Sequence, residues 1–192
     1  MVKLDRIYTR GGDKGMTSLG NGARVPKDGA RIRAIGDVDE ANATIGLAVL
    51  EAGDAGTATR DILGRVQNDL FDLGADLAAP ADDPADGRLR IHDSQVGRLE
   101  AEIDMLNAAL APLTSFVLPA GTALATYLHL ARTVTRRAER SVAALAGAEA
   151  VNPAALTYLN RLSDLFFVMA RVANDGGRSD VLWRPGMTAQ KD

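Results

Sequence analysis

Apolar residues recur at three- and four-residue spacing over most of the chain, the period of an α-helix rather than of a strand. Val38, Ala41, Ile45, Ala48 and Val49 predict a first helix, with Asp37 as its cap and Gly53 as its stop. Ile62, Val66, Leu70, Leu73 and Leu77 form the stripe of a second, expected from Gly56 to Ala79. Pro80 to Arg90 reads as a loop from its Pro, Asp and Gly content. A third helix is expected from Asp93, capped by Asp93 or Ser94, to about Leu110. A non-helical passage follows, Pro112 to Gly121, containing Phe116-Val117-Leu118-Pro119-Ala120-Gly121. The fourth helix is predicted over Gly121 to Ala146, and Asn152-Pro153 separates it from a fifth ending near Asn174. Asn152 is placed to cap that last helix, with Pro153 at its first position. The pattern predicts an all-α fold, a five-helix bundle with short connections and no internal repeat. We read 1–192 as a single domain: an N-terminal segment 1–36, a bundle 37–175 and a tail 176–192.

Composition narrows this picture. At 192 residues the chain can bury a sizeable core. Aromatics make up 4% against 46% for the wider hydrophobic class, so the core must be built from Ala, Leu and Val, which suits closely packed helices. A formal net charge of -3 argues against a general nucleic-acid binder. The absence of cysteine excludes disulfides and thiolate metal sites. There is no apolar run of about 18 residues, and Met1-Val2-Lys3-Leu4-Asp5 lacks the apolar core of a signal peptide. A cytoplasmic protein that does not engage a membrane is expected.

Against this acidic background one basic cluster stands out. Ala131 to Arg140 carries four arginines, and Arg132, Arg136, Glu139 and Arg140 fall within roughly a 100° arc of the helix. Leu124, Leu128, Ala131, Thr135, Ala138 and Val142 fall on the opposite side. Like charges four residues apart repel by about a few tenths of a kcal/mol, so helix stability alone would not choose this spacing. Arginine forks match phosphate oxygens. Taken alone, the stripe fits either a solvated face or a surface for a polyanion or an acidic partner.

Three other segments offer it company. Tyr8-Thr9-Arg10-Gly11-Gly12-Asp13-Lys14-Gly15-Met16-Thr17-Ser18 could wrap backbone N–H groups and side-chain donors around phosphate, or could be a flexible arm. It is not a Walker A loop. Asp37-Val38-Asp39-Glu40 places three carboxylates at the predicted helix start, where the helix dipole would account for them; otherwise one of them, Asp39 for preference, pairs with the stripe. Asn160, Asp164, Arg171 and Asn174 line up on the fifth helix, either facing solvent or with Asn160 holding a ligand and Asp164 orienting an arginine. His92 and His129 are isolated and are expected to serve only at the surface or as caps. No protein-held metal site is expected.

Together these segments resemble the PduO-type ATP:cob(I)alamin adenosyltransferase family. The resemblance rests on Tyr8-Thr9-Arg10 with its Gly-Asp-x-Gly, Arg24-Val25-x-Lys27, and Gly36-x-x-Asp39-Glu40-x-Asn42-x-x-Ile45-Gly46. It continues through Val66-Gln67-x-x-Leu70-Phe71-x-Leu73-Gly74-Ala75, Phe116-x-Leu118-Pro119, Ala131 to Arg140, and Tyr158-Leu159-Asn160-Arg161-Leu162-Ser163-Asp164. With the first two segments counted as one N-terminal loop, six ordered motifs spanning Arg6 to about Arg171 make the match specific.

The resemblance implies transfer of the 5′-deoxyadenosyl group of ATP to the cobalt of reduced cobalamin, releasing triphosphate. It implies a homotrimer with active sites between subunits, a reductase to deliver electrons, and an adenosylcobalamin-dependent enzyme to use the product. By position, Thr9, Arg10, Gly11, Gly12, Thr17, Ser18 and Lys27 would hold ATP. Arg136, Arg137, Ala138, Glu139, Arg140 and Asn160 would complete that site, with Mg2+ on the triphosphate. Asp39 would bridge to Arg132 between subunits, and Phe116 would stand at the lower face of the corrin. This chain departs from the family pattern at Gly12, where a threonine is usual, and at Ala120, where a glycine is usual. A positive φ at Ala120 would strain the turn beside Phe116.

Overall fold

The computed structural model describes residues 7–53, 56–80 and 87–189. Residues 81–86 of the expected loop, the first six residues and the last three fall outside them. A two-stranded antiparallel hairpin, β1 (Met16–Ser18) and β2 (Arg24–Pro26), pairs Met16 with Pro26, Thr17 with Val25 and Ser18 with Arg24. Five helices follow: α1 (Ala30–Ala52), α2 (Thr57–Leu77), α3 (Asp93–Asn107), α4 (Ala123–Ala146) and α5 (Pro153–Ala173).

In cross-section α1 lies between α2 and α4, and α5 lies between α4 and α3. Ala34, Val38, Ala41, Ile45 and Ala48 of α1 are fully buried, as are Leu128, Ala131, Ala138 and Val142 of α4. Small side chains on both surfaces let the helix axes approach closely. Leu63, Leu70, Leu73, Leu159, Leu162 and Phe166 fill the remaining core.

Where the chain departs from its apolar pattern, a buried polar contact accounts for the difference. The first helix starts at Ala30, ahead of the predicted Asp37. Arg31, a charged residue on a core-facing position, is only 4% exposed. Its guanidinium donates to the Leu77 carbonyl at 2.7 Å, to the Ala150 carbonyl at 3.1 Å and to Glu149 at 2.8 Å. Asp37, Asp39 and Glu40 therefore sit in the body of α1, where the helix dipole does not account for them. The third helix ends at Asn107, short of Leu110, and its cap position is His92, whose N–H donates to the Gln95 side chain at 2.9 Å. Asn152 caps α5 and Pro153 opens it, as expected.

Two acidic residues knit the bundle internally. Asp69 of α2 accepts from Tyr158 Oη at 2.7 Å, from Gln95 Nε2 at 2.9 Å and from Arg98. Asp76 accepts from Arg90, the Ile91 N–H and Asn152 Nδ2 at 2.7–2.8 Å. Burial and the neighbouring Asp69 carboxylate push the Tyr158 phenol well above its usual range.

Residues 176–189 are not a free tail. They return to the 111–121 loop, where Val117 and Leu182 form an antiparallel bridge. The stripe expected on α5 divides accordingly: Asp164 is exposed, while Arg171 and Asn174 are buried beneath the returning segment. Positive φ falls on Gly121 (115°) and not on Ala120, so the expected strain beside Phe116 does not arise. A Cβ on Gly121 would lie 2.1 Å from Asn174 Oδ1. Gly121→Ala is accordingly expected to lower stability by about 2–4 kcal/mol, read as a depressed melting temperature. Ala120→Gly should leave the melt almost unchanged. Equal melts for the two variants would contradict this account.

Candidate functional site

The candidate residues fall in three places. At one end of the bundle the glycine loop folds onto the hairpin. The Gly15 N–H donates to the Gly12 carbonyl at 3.1 Å, and the Lys27 N–H donates to the Gly15 carbonyl at 2.9 Å. Arg24 ties the two sides together, donating to Ser18 Oγ at 3.2 Å and to the Gly11 carbonyl at 2.7 Å. Arg10 adopts φ 58°, with its guanidinium 5.6 Å from the Tyr8 ring centre. Gly12 matters sterically: a Cβ there would lie 2.9 Å from Lys27 Nζ. Gly11, Gly12, Ser18 and Lys27 are thus brought together, with Thr17 in the paired strand and Thr9 beside Gly11.

The second place is α4. Arg136 lies ten residues before the end of that helix, about 15 Å along its axis. The four arginines differ in what they meet. Arg137 forms ion pairs with Asp37 at 3.5 Å and with Glu40, and Ser141 Oγ donates to Asp37. These contacts, the Glu40 hydrogen bond foremost, hold the Arg137 guanidinium above its ordinary pKa. Arg137 is thereby engaged with α1, one residue's rotation away from the Arg132/Arg136/Arg140 face. Among the described residues, Arg132, Arg136 and Arg140 have no ion pair with an acidic side chain, and Arg140 donates only to the Arg136 carbonyl at 2.9 Å. Glu139 accepts from Asn160 Nδ2 at 2.8 Å, joining α4 to α5, and Arg161 donates to Asn160 Oδ1 at 2.6 Å. Ala138 is fully buried and faces the core.

Arg132 and Asp39 do not meet within the chain. Asp39 is exposed on α1 and lines a groove of about 540 Å³ with Asn42, Gln67, Asn68 and Phe71. Arg132 lies 6.0 Å from the Phe167 ring centre, and its Nε is buried without a hydrogen-bond partner. Burial, and then Arg136, lower its pKa. One turn earlier His129 is only 1% exposed, contrary to the surface or capping role expected. It stands edge-on to Phe167 at 6.3 Å, with neither ring nitrogen hydrogen-bonded to protein. Its isolation in sequence concealed it, since the ring it faces, Phe167, comes from α5.

The third place is the far end of the bundle. Phe116 is 75% exposed, with the Trp183 ring 5.9 Å away. An open cleft of about 1110 Å³ lies beside it, lined by Ser115, Leu118, Val181, Trp183 and Met187 among others. Trp183 is the chain's only tryptophan, and in a chain so poor in aromatics its place in the supposed tail was the available signal. Arg24 was missed as a site-building residue. Among the three carboxylates offered to the stripe the preference fell on Asp39, whereas within the chain Asp37 and Glu40 are the ones that pair. The structure makes Arg24 the brace of the glycine loop and the two acids the anchors of Arg137.

These features match a known class. Residues 7–173 fit the family model described as cobalamin adenosyltransferase. A corrinoid adenosyltransferase of Mycobacterium tuberculosis (strain ATCC 25618 / H37Rv) is 53% identical over 188 residues, 96% of each chain. One from Bacillus subtilis (strain 168) is 44% identical, covering 88% of this chain and 86% of its own. Among solved structures, a phenylalanine-to-histidine variant of a PduO-type ATP:corrinoid adenosyltransferase from Lactobacillus reuteri, complexed with cobalamin and ATP, superposes with a TM-score of 0.88. It is 38% identical, and the match covers 94% of this chain and 97% of that one. The chain belongs to the cobalamin adenosyltransferase family. The sequence reading of an all-α ATP:corrinoid adenosyltransferase stands with it.

His129 gives the site a pH signature. Burial foremost, then the Arg132 charge, push the imidazole below its ordinary value, with Asp180 opposing. As pH falls through about 6.5, the unfolded chain protonates before the folded one, so stability is lost below that pH and unaffected above it. The slope from this one group is at most about 1.4 kcal/mol per pH unit. Denaturant unfolding at pH 7, 6 and 5 should show that loss in the wild type and a flatter profile in His129→Gln. Parallel profiles would refute the assignment.

Proposed function

We propose that this chain binds ATP between its glycine loop and the arginine stripe of an adjoining subunit, and presents the adenosyl carbon to a corrinoid bound against Phe116. The observation that carries this reading is the division of cations on α4. Arg137 is neutralised by α1, whereas Arg132, Arg136 and Arg140 keep no acidic partner among the described residues. Three guanidinium groups left this way on one face of a helix fit a polyphosphate and the carboxylate of a neighbour. Lys27, Ser18, Thr17, Thr9, Arg10 and the Gly11–Gly12 backbone supply donors from the loop side. Asn160, held by Glu139, closes the site from α5.

In one chain the loop lies at the end of the bundle, where the Gly20 N–H meets the Ala78 carbonyl, and no hydrogen bond among the described residues joins it to the stripe. A homotrimer would bring one subunit's loop to the next subunit's stripe and let Asp39 reach Arg132. The acidic groups nearest the stripe, Asp37, Glu40 and Glu139, are already engaged by Arg137 or Asn160. Mg2+ therefore fits as an ion carried on triphosphate oxygens and water rather than in a protein cage.

The chemistry demands positioning more than proton transfer. Cobalt(I) of the substrate corrinoid attacks C5′ of ATP and is oxidised formally to cobalt(III). The C5′–O bond breaks, and its electron pair leaves with triphosphate. Holding the carbon in line with cobalt lowers the barrier by several kcal/mol, and Arg136 with Lys27 stabilises the charge that grows on the departing oxygen. Phe116 occupies the lower face of the corrin in place of an axial ligand, which eases reduction of cobalt(II). The reaction takes its electron from a reductase and passes adenosylcobalamin to a dependent enzyme, in the cytoplasm. No described helix is long and apolar enough to cross a membrane.

Arg136→Ala should lower turnover by about 10²–10³-fold while circular dichroism shows helix content unchanged; a wild-type rate would remove Arg136 from the mechanism. Phe116→Ala should keep ATP affinity but lose the spectroscopic signature of four-coordinate cob(II)alamin. The solution mass should be three times the 20.2 kDa of the chain, and a monomeric mass would overturn the between-subunit site.

A further inference from the structure

The loop that carries Phe116 is held at both ends by a buried polar group on the last turn of α5. Arg171 and Asp180 form an ion pair at 2.9 Å whose side chains are 7% and 2% exposed. Arg171 Nη2 also donates to the Ala111 carbonyl at 2.9 Å, where the loop begins. Asn174, fully buried, grips the other end. Its Nδ2 donates to the Ala120 carbonyl at 3.1 Å and its Oδ1 accepts from the Thr122 N–H at 3.0 Å. Asn174 Nδ2 also reaches Asp180 Oδ1 at 3.3 Å, so both grips meet at one carboxylate.

From Asp180 the chain runs directly beneath Phe116. The Leu118 N–H donates to the Val181 carbonyl and the Trp183 N–H to the Phe116 carbonyl, both at 2.8 Å. Ser115 Oγ donates to the Trp183 carbonyl at 2.8 Å. The backbone on either side of Phe116 is thus fixed, while its side chain stays largely exposed. Burying an ion pair costs desolvation and is a poor way to gain stability, but it fixes geometry wherever both charges find additional hydrogen bonds. Here they do, and what they fix is the loop bearing one exposed aromatic ring.

We propose that Arg171, Asn174 and Asp180 are positioning residues for Phe116, acting through the 180–183 segment to hold the ring where a corrinoid must meet it. This rests on the assignment of Phe116 to the lower face of the corrin. Asp180 borders the cleft beside Phe116, but its carboxylate, 2% exposed, is taken up by Arg171 and Asn174. Their part is to make residues 111–121 and 180–183 one rigid frame, so that ring placement depends on a buried carboxylate outside the loop that carries the ring.

The test compares Asp180→Ala, the double variant Arg171→Met/Asp180→Ala and Phe116→Ala in the full-length chain, each with ATP and cob(II)alamin. The double variant removes both charges and so avoids stranding Arg171 in the interior; it carries the test if Asp180→Ala does not fold. Loss of the frame should leave ATP affinity within about twofold while the four-coordinate cob(II)alamin signal falls and kcat drops by about tenfold or more. A full cob(II)alamin signal and kcat in the double variant, alongside their loss in Phe116→Ala, would overturn the positioning role alone. An unaltered signal in Phe116→Ala would instead overturn the reading beneath it. Loss of ATP binding in the double variant would show that the pair supports the whole bundle, and would also overturn the proposal.

Discussion

The close contact of α4 with its neighbours is the constraint on which the rest depends. Ala131, Thr135 and Ala138 are fully buried. A larger residue at any of them would push α1 or α5 away from α4 in an interior packed without spare volume. Because that face is fixed, the rotation of α4 is fixed, and with it the direction of every arginine. Arg137 falls on the α1 side and is neutralised there. Arg136 and Arg140 point outward, while Arg132 lies partly buried against Phe167 of α5. The alanine-rich composition is therefore tied to the chemistry: closely packed helices aim long cations with little freedom of rotation.

The same geometry changes the meaning of two motifs. The acidic run Asp37-Val38-Asp39-Glu40 looks like the start of a helix in sequence, but it lies within α1 and splits in function. Asp37 and Glu40 face α4 and hold Arg137, while Asp39 is turned outward beside Phe71. The departure at Gly12 likewise has a physical reading. With no Cβ at that position, the Lys27 ammonium lies against the loop. A full positive charge thus occupies the space that a neutral hydroxyl-bearing side chain would need.

Much of the fold was legible because the helices are amphipathic and well punctuated. The fifth helix, with Asn152 and Pro153 at its head, was read to within a residue, and so was the end of the fourth at Ala146. What escaped was whatever depended on distant partners. Arg31 carries no apolar signal, yet it extends α1 into the core because Glu149 and the Leu77 and Ala150 carbonyls, remote in sequence, satisfy it. Residues 176–189 have no periodicity, because their order comes from backbone pairing with 116–118 and from the buried Arg171–Asp180 ion pair. The candidate site was legible as a set of residues, but not as a set of distinct surroundings. The spacing sets Arg137 off the Arg132/Arg136/Arg140 face, but it does not say that Asp37 and Glu40 would pair with it there while Arg132 is left with no acidic partner among the described residues.

The unmatched nitrogen of Arg132 bears on how this protein persists in solution. A partly buried guanidinium whose Nε meets no acceptor among the described residues adds to the free energy of the isolated chain. If the missing acceptor is Asp39 of an adjoining subunit, relief comes only with assembly. Folding and association are then linked, and dilution weakens the folded state by mass action. On the proposed assembly, dispersing the subunits would then cost more than the sites between them: each chain would be left with a buried Arg132 nitrogen that its own fold does not satisfy.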